Sequence, residues 1–188
     1  MPSHLNLLSA EQSLLLIVDQ QPKLTSAMPE SDAKAMAANT NKLSSAAGLL
    51  NIPVLLTEQY PKGLGSTDPN ITANLPSAAQ IFTKTGFSCC AAEGFMTALK
   101  NQHRQQIILT GQETHVCILQ TALELASLDY QVYVAEDAVC SRQAAHKTYA
   151  LQRMQQQGVT ICNYESVLFE WLRDARHPDF KQISNLLR

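Results

Sequence analysis

Three residues in this chain could do chemistry together. Asp19 directly follows the apolar run Leu14–Val18, and Lys84 directly follows Gln80–Thr83. Cys117 lies six residues past Gly111, which closes the run Gln106–Thr110. An acid, an amine and a thiol are the parts of a nucleophilic centre. A free thiol ionises near pH 8.5, and helix N-termini and nearby cations lower that value. On this reading Lys84 and the start of a helix favour the Cys117 thiolate. Asp19 takes the thiol proton and later returns it to a leaving group. Such a set suits acyl transfer from an amide or ester. Each residue also has a plainer use. An Asp after a strand serves as a turn residue, a Cys in an apolar helix as core, and a Lys at a strand end as a solvated charge.

The three act together only if the fold gathers strand ends at one edge. The apolar pattern predicts strands at Leu14–Val18, Ile52–Leu56, Gln80–Thr83, Gln106–Thr110, Val132–Ala135 and Val159–Cys162. Leu14–Val18, a run with no polar alternation, suits a strand buried on both faces. Helices are predicted from Ser31 and Asp32 to Asn51, then over Glu93–Asn101, Thr114–Leu128 and Ser141–Gln157, the last closed by Gly158. A loop rich in Pro and Gly runs from Glu58 to about Thr72. Two short helices finish the chain, the second opening with Pro178 at its first helical position. Their Trp171, Phe180, Ile183 and Leu187 would serve core or interface. Strands alternating with helices give a three-layer α/β sandwich, a doubly wound, Rossmann-like fold on a six-stranded parallel sheet. In such sheets ligands sit beyond the carboxyl ends of the strands, where Asp19, Lys84 and Cys117 fall.

Composition bounds the partners. The chain has 188 residues, and 14 Lys and Arg against 16 Asp and Glu give a net charge of −2. That length fits a single domain over residues 1–188. An apolar fraction of 45% excludes a disordered chain. The charge balance lacks the basic footprint of nucleic-acid binding, and no apolar run approaches a membrane span. The expected partner is a small molecule, not nucleic acid or membrane. The start, MPSHLNLLSAEQ, lacks the features of a secretory leader, so a cytoplasmic location is expected. Five cysteines without a C-x-x-C pair argue against a disulfide framework and a structural zinc site. Glycine-rich nucleotide-binding motifs are missing, which disfavours a dinucleotide or P-loop domain.

The chemical residues sit inside ordered motifs: Leu16-Ile-Val-Asp19-Gln20-Gln21, Phe82-Thr-Lys84 and Thr110-Gly111-Gln-Glu113-Thr-His-Val-Cys117. In this order they resemble the isochorismatase-like, nicotinamidase-related cysteine hydrolases. Thr57-Glu-Gln-Tyr-Pro-Lys-Gly-Leu-Gly65, Asp137-Ala-Val-Cys-Ser-Arg142 and His177-Pro-Asp-Phe-Lys181 are similar to the isochorismatase domain-containing subgroup. The resemblance implies the isochorismatase hydrolase fold and a catalytic triad: Cys117 as nucleophile, Asp19 as base and acid, Lys84 as electrostatic partner. It also implies a cis peptide bond between Gln112 and Glu113. That bond would aim the Glu113 N–H beside the Cys117 N–H as an oxyanion hole. A homo-oligomer, dimer or tetramer, is implied as well.

Two departures narrow the chemistry. Nicotinamidases hold a metal through an Asp-x-His…His cluster after the second strand. Here that place reads Glu58-Gln-Tyr60-Pro-Lys62, with no histidine between it and His103, so neither metal nor cofactor is expected. Isochorismatase itself lacks the nucleophilic cysteine and hydrolyses a vinyl ether. The presence of Cys117 favours acyl chemistry on a small amide. Gln20, Tyr60 and Phe87 are candidate pocket residues. His115 stands two residues from Cys117, a spacing that does not face it on a helix. Vicinal Cys89 and Cys90 read as redox-active or, more commonly, buried. The other readings are a scaffold protein with a relict site and ether hydrolysis of the isochorismatase type.

Overall fold

The computed structural model describes residues 6–187. Six strands, β1 (Ser13–Val18), β2 (Val54–Gln59), β3 (Gln80–Lys84), β4 (Gln106–Gln112), β5 (Gln131–Cys140) and β6 (Thr160–Cys162), form one sheet. Its order is β3-β2-β1-β4-β5-β6, and every neighbouring pair is parallel. The α-helical segments are α1 (Pro22–Thr25), α2 (Glu30–Leu49), α3 (Pro61–Leu64), α4 (Pro69–Thr72), α5 (Phe95–Asn101), α6 (Leu119–Ser127), α7 (Ala144–Gln156), α8 (Tyr164–Leu172) and α9 (Phe180–Asn185). This is the expected three-layer α/β sandwich. No helix of the described residues is long and apolar enough to cross a membrane. The start of the stretch without secretory-leader features, residues 1–5, lies outside those described.

Residue alternation along β1 builds two cores. Leu14, Leu16 and Val18 pack with Phe95 and Leu99 of α5, Leu119, Ala122 and Leu125 of α6, and Ala150 and Met154 of α7. Leu15 and Ile17 face the other way, onto Leu43, Ala46 and Ala47 of α2 and Val167, Leu168 and Trp171 of α8. A strand covered on both faces must be apolar at every position, which is why β1 reads as an unbroken run. Trp171 and Ile183 belong to this core, whereas Phe180 and Leu187 are partly buried at its rim. Trp171 also donates its indole N–H to the buried Ser13 hydroxyl at 2.9 Å.

The strand order reverses at β1. From there the chain moves outward through β2 and β3, then returns to β4 on the other side. Gly111 makes the close approach at this switch point possible. It pairs with Val18, has φ +113°, and a Cβ there would lie 2.0 Å from the Val18 carbonyl oxygen.

Element boundaries differ from the sequence reading where polar residues stay in a ladder. β2 continues past Leu56 because Thr57 pairs with Val18 and Phe82, and Gln59 pairs with Lys84. The expected loop therefore starts at Tyr60, not Glu58. β4 runs on to Gln112, and β5 runs through Glu136 and Asp137 to Cys140, with a register shift between Leu109 and Gly111. The helix expected over Thr114–Leu128 opens as a wide π turn, Thr114–Ile118, before α6. α7 begins at Ala144 rather than Ser141, and α9 begins at Phe180, so Pro178 precedes the N-cap Asp179. The single turns α1, α3, α4 and the 3-10 turn Cys89–Ala91 are too short to carry helical periodicity and leave no signal in the sequence pattern. All five cysteines are free thiols.

Gly111→Ala combines a backbone clash with an unfavourable positive φ. It should destabilise the fold by about 3 kcal/mol or more. Urea denaturation of the purified variant checks this, and a loss below about 1 kcal/mol would contradict the close approach.

Candidate active site

The carboxyl ends of β1, β2 and β3 meet around one buried ion pair. Lys84 Nζ lies 2.6 Å from Asp19 Oδ2, with neither side chain accessible to solvent. The ammonium also donates to Gln59 Oε1 at 2.6 Å and to the Phe87 carbonyl at 2.9 Å. Three strong acceptors use its three protons, as burying a charge requires. The other carboxylate oxygen, Asp19 Oδ1, accepts from the Thr57 hydroxyl at 2.8 Å. Asp19 itself has φ 51°, a left-handed turn that a short polar side chain tolerates.

Buried glutamines hold this turn in place. Gln112 Nε2 donates to the Asp19 carbonyl at 3.0 Å and to Thr25 Oγ1 at 2.8 Å. Gln21 acts as a short strand edge: its Oε1 accepts from the Gln59 N–H at 2.7 Å and its Nε2 donates to the Gln59 carbonyl at 2.9 Å. The same Nε2 reaches the Gly65 carbonyl. The loop after β2 is anchored further along, where the Glu58 carboxylate accepts from the Thr67 N–H and hydroxyl at 2.7 and 2.8 Å.

Cys117 lies in the π turn that follows β4, where the Ile118 N–H reaches back to the Glu113 carbonyl at 3.2 Å. Single wide turns of this kind are frequent at functional sites. The peptide bond between Gln112 and Glu113 is cis, as the resemblance implied. Burial pushes the Cys117 thiol well above its ordinary range. The Asp19 charge adds to that push, Lys84 opposes it, and hydrogen bonding with Asp19 raises it further. The expected lowering by Lys84 and the helix start is therefore corrected. The Lys84 charge is already taken up by Asp19, and desolvation outweighs what remains.

Cys117 opens onto a cavity of about 480 Å³ lined by Leu24, Leu64, Val116, Tyr60, Phe87, Gln59, Thr85 and Glu113. Aliphatic and aromatic groups dominate the wall. Tyr60 and Phe87 are each about half exposed at 52%. The Glu113 carboxylate is engaged, accepting from the Arg142 N–H and Nε–H, both at 3.1 Å. Charges at the site are thus paired: Lys84 with Asp19, Arg142 with Glu113.

The fold brings Asp19, Lys84, Cys117, Gln112, Glu113, Tyr60 and Phe87 to one strand-end cluster. It does not bring Gln20 to the cavity wall. The Gln20 side chain turns away to α2 and donates to Thr40 Oγ1 at 2.7 Å, a correction to its expected pocket role. His115 contacts Ser141 Oγ at 3.0 Å and packs against the His146 ring, centroids 4.7 Å apart, away from the cavity. The structure adds Thr57, Gln59 and Gln21, which the sequence motifs do not mark as site residues. The available signal was the period-2 spacing of Thr57 and Gln59, which places both on one face once β2 extends to Gln59.

An isochorismatase domain model matches residues 13–166. Isochorismatase domain-containing protein 2 of Danio rerio is 39% identical over 181 residues, covering 96% of this chain and 89% of that one. The MAR1 ribonuclease structure from Caenorhabditis elegans superposes with TM-score 0.90 at 34% identity, over 96% of this chain and 91% of the other. YcaC is similar in two structures, each 26% identical to this chain. The Pseudomonas aeruginosa protein, with hexane-2,5-diol and covalent acrylamide, has TM-score 0.90 over 97% and 91% of the two chains. The Escherichia coli protein, described as an octameric hydrolase of unknown specificity, has TM-score 0.85 over 96% and 95%. Matched by that domain model over most of its length and by a 39% identical relative over 96% of it, the chain belongs to the isochorismatase family.

Proposed function

We propose that this protein is a metal-independent cysteine hydrolase that cleaves the C–N bond of a small, uncharged amide. The observation that carries the reading is the Asp19 carboxylate, fixed by Lys84 and Thr57 and close enough to raise the Cys117 thiol that opens onto an apolar cavity. Asp19 takes the thiol proton as sulfur attacks the carbonyl carbon. The Glu113 and Cys117 N–H groups receive the developing oxyanion. The C–N bond breaks, Asp19 passes its proton to the leaving amine, and a thioester remains. Asp19 then deprotonates a water that attacks the thioester, the acid departs, and the thiol is restored. With its pKa raised, Cys117 rests as a neutral thiol, so ionisation is coupled to attack.

The family supports hydrolysis through the E. coli YcaC protein, and the covalent acrylamide on P. aeruginosa YcaC supports a nucleophile on this fold. The C. elegans relative is a ribonuclease by name. In this chain the cavity wall carries no Lys or Arg, and the net charge is −2, which supports a small molecule over a polyanion. Paired charges leave nothing to receive a charged substrate, and Leu24, Leu64, Tyr60 and Phe87 suit an apolar acyl group. Assembly as a homo-oligomer in the cytoplasm completes the reading. The octameric YcaC relative supports self-association.

Three outcomes test it. Cys117→Ala should lower steady-state hydrolysis of p-nitrophenyl acetate and of an amide panel by about a thousandfold or more, and retained activity would defeat the covalent scheme. Asp19→Asn removes the charge that, after burial, does most to keep the proton on Cys117. Its alkylation by iodoacetamide at pH 8, followed by mass spectrometry, should therefore quicken about tenfold while amide turnover is lost. Slower alkylation would mean that Asp19 does not hold the thiol protonated. An uncharged amide with an apolar acyl group should exceed its carboxylate-bearing analogue in kcat/KM by about a hundredfold, because the cavity would bury an unpaired charge.

A further inference from the structure

A second buried thiol lies behind the active-site carboxylate. Cys89, on the 3-10 turn after β3, is fully inaccessible, and its Sγ lies 3.4 Å from Thr57 Oγ1. Thr57 Oγ1 in turn lies 2.8 Å from Asp19 Oδ1. The direction of this chain follows from proton counting. A hydroxyl has one proton. The carboxylate, ion-paired with Lys84, only accepts, so the Thr57 proton points to Asp19. The contact between Thr57 and Cys89 then has only the thiol proton to use. Cys89 must donate, and Thr57 must pass its own proton forward. The Cys89 N–H is fixed separately by Thr121 Oγ1 at 2.9 Å, which sets the turn that aims the thiol. Burial pushes the Cys89 thiol up to about 12, so it keeps its proton across the working range.

We infer that Cys89 and Thr57 form a one-way hydrogen-bond relay that holds Asp19 as a carboxylate aimed at Cys117. They are positioning residues and touch no reacting atom. The relay rests on Asp19 serving as the base in the proposed reaction. Hydrogen bonds to the charged form of a carboxylate favour that form, and chains of such bonds strengthen one another in a low-dielectric interior. The titratable groups facing Asp19 are Lys84 from β3, Cys117 from the π turn and Cys89 from the 3-10 turn. β2 adds none, since the Glu58 carboxylate turns to Thr67. The relay is therefore the neutral counterpart to Lys84, one on each carboxylate oxygen.

Two readouts on the intact protein test the inference, and the first needs no substrate. The S–H stretching band of Cys89, isolated as wild type minus Cys89→Ala by infrared difference spectroscopy, should lie at the low wavenumber of a hydrogen-bond donor. In Thr57→Val it should move up to that of an unbonded thiol. The second readout is steady-state hydrolysis of p-nitrophenyl acetate, in which Asp19 must be unprotonated to activate water. In Thr57→Val the acid limb should move up by about one pH unit, a loss that approaches tenfold on the limb itself with little change at pH 8. Thr57→Ser should restore the profile. Cys89→Ala should move the limb less and in the same direction, Cys89→Ser should hold it, and Cys89→Ala should add nothing in the Thr57→Val background. An unshifted band, additive effects of the two variants, or a band that moves without any change in the acid limb would each overturn the relay. If Thr57→Val does not fold, the Cys89 variants decide by the same limb, and an unmoved limb in Cys89→Ala overturns it. Failure of the hydrolase reading itself would show separately, as p-nitrophenyl acetate hydrolysis that survives Cys117→Ala. The band would still report the direction of the relay.

Discussion

The structure depends on a buried ion pair between Asp19 and Lys84, with side chains wholly withdrawn from solvent. Desolvating two charges costs more than their attraction returns unless every remaining lone pair and proton finds a partner. Much of the local architecture meets that requirement. Gln59 and the Phe87 carbonyl complete the ammonium, and Thr57 completes the carboxylate. Removing one partner alone would leave an uncompensated charge, at a cost of about 3–5 kcal/mol. Three consecutive strands of the sheet are thereby tied together at their carboxyl ends.

That constraint explains why the region around the site is rich in buried amides. Gln21, Gln59 and Gln112 each give hydrogen bonds to backbone or hydroxyl groups that no ladder would otherwise satisfy. They hold the left-handed turn at Asp19 and the loop that carries Tyr60. A rigid polar floor then sits against an apolar wall. The floor fixes the charges, while the wall, with Glu113 neutralised by Arg142, leaves room for an uncharged guest.

Cys117 shows which electrostatic effect wins. A cation and a helix start favour thiolate when considered singly. In the folded protein the cation is spent on Asp19, and burial with the facing carboxylate drives the thiol the other way. A thiol held neutral beside a carboxylate is suited to proton transfer during attack rather than to a standing thiolate. That arrangement accords with the proposed amide chemistry, in which the same proton serves the leaving amine.

The sequence by itself determined a six-stranded parallel sheet between helical layers and the three groups near its strand ends. Apolar runs such as Leu14–Val18 can be satisfied only between two helical layers; Asp19 and Lys84 directly follow strands marked in the sequence, and Cys117 falls six residues past Gly111 at the close of the fourth. Local pattern also marked Asn51 and Gly158, whose positive φ closes helices. What pattern could not supply was the continuation of strands into polar residues. Thr57 stays in β2 because β1 and β3 pair with it from both sides, and Gln59 because it pairs with Lys84 of β3, constraints invisible from β2 alone. The turn of Gln20 toward Thr40, the pairing of Glu113 with Arg142 and the upward shift of Cys117 likewise come from residues far apart in the chain. Only the tertiary structure decides them, because burial and charge pairing depend on which distant groups share a volume from which water has been removed.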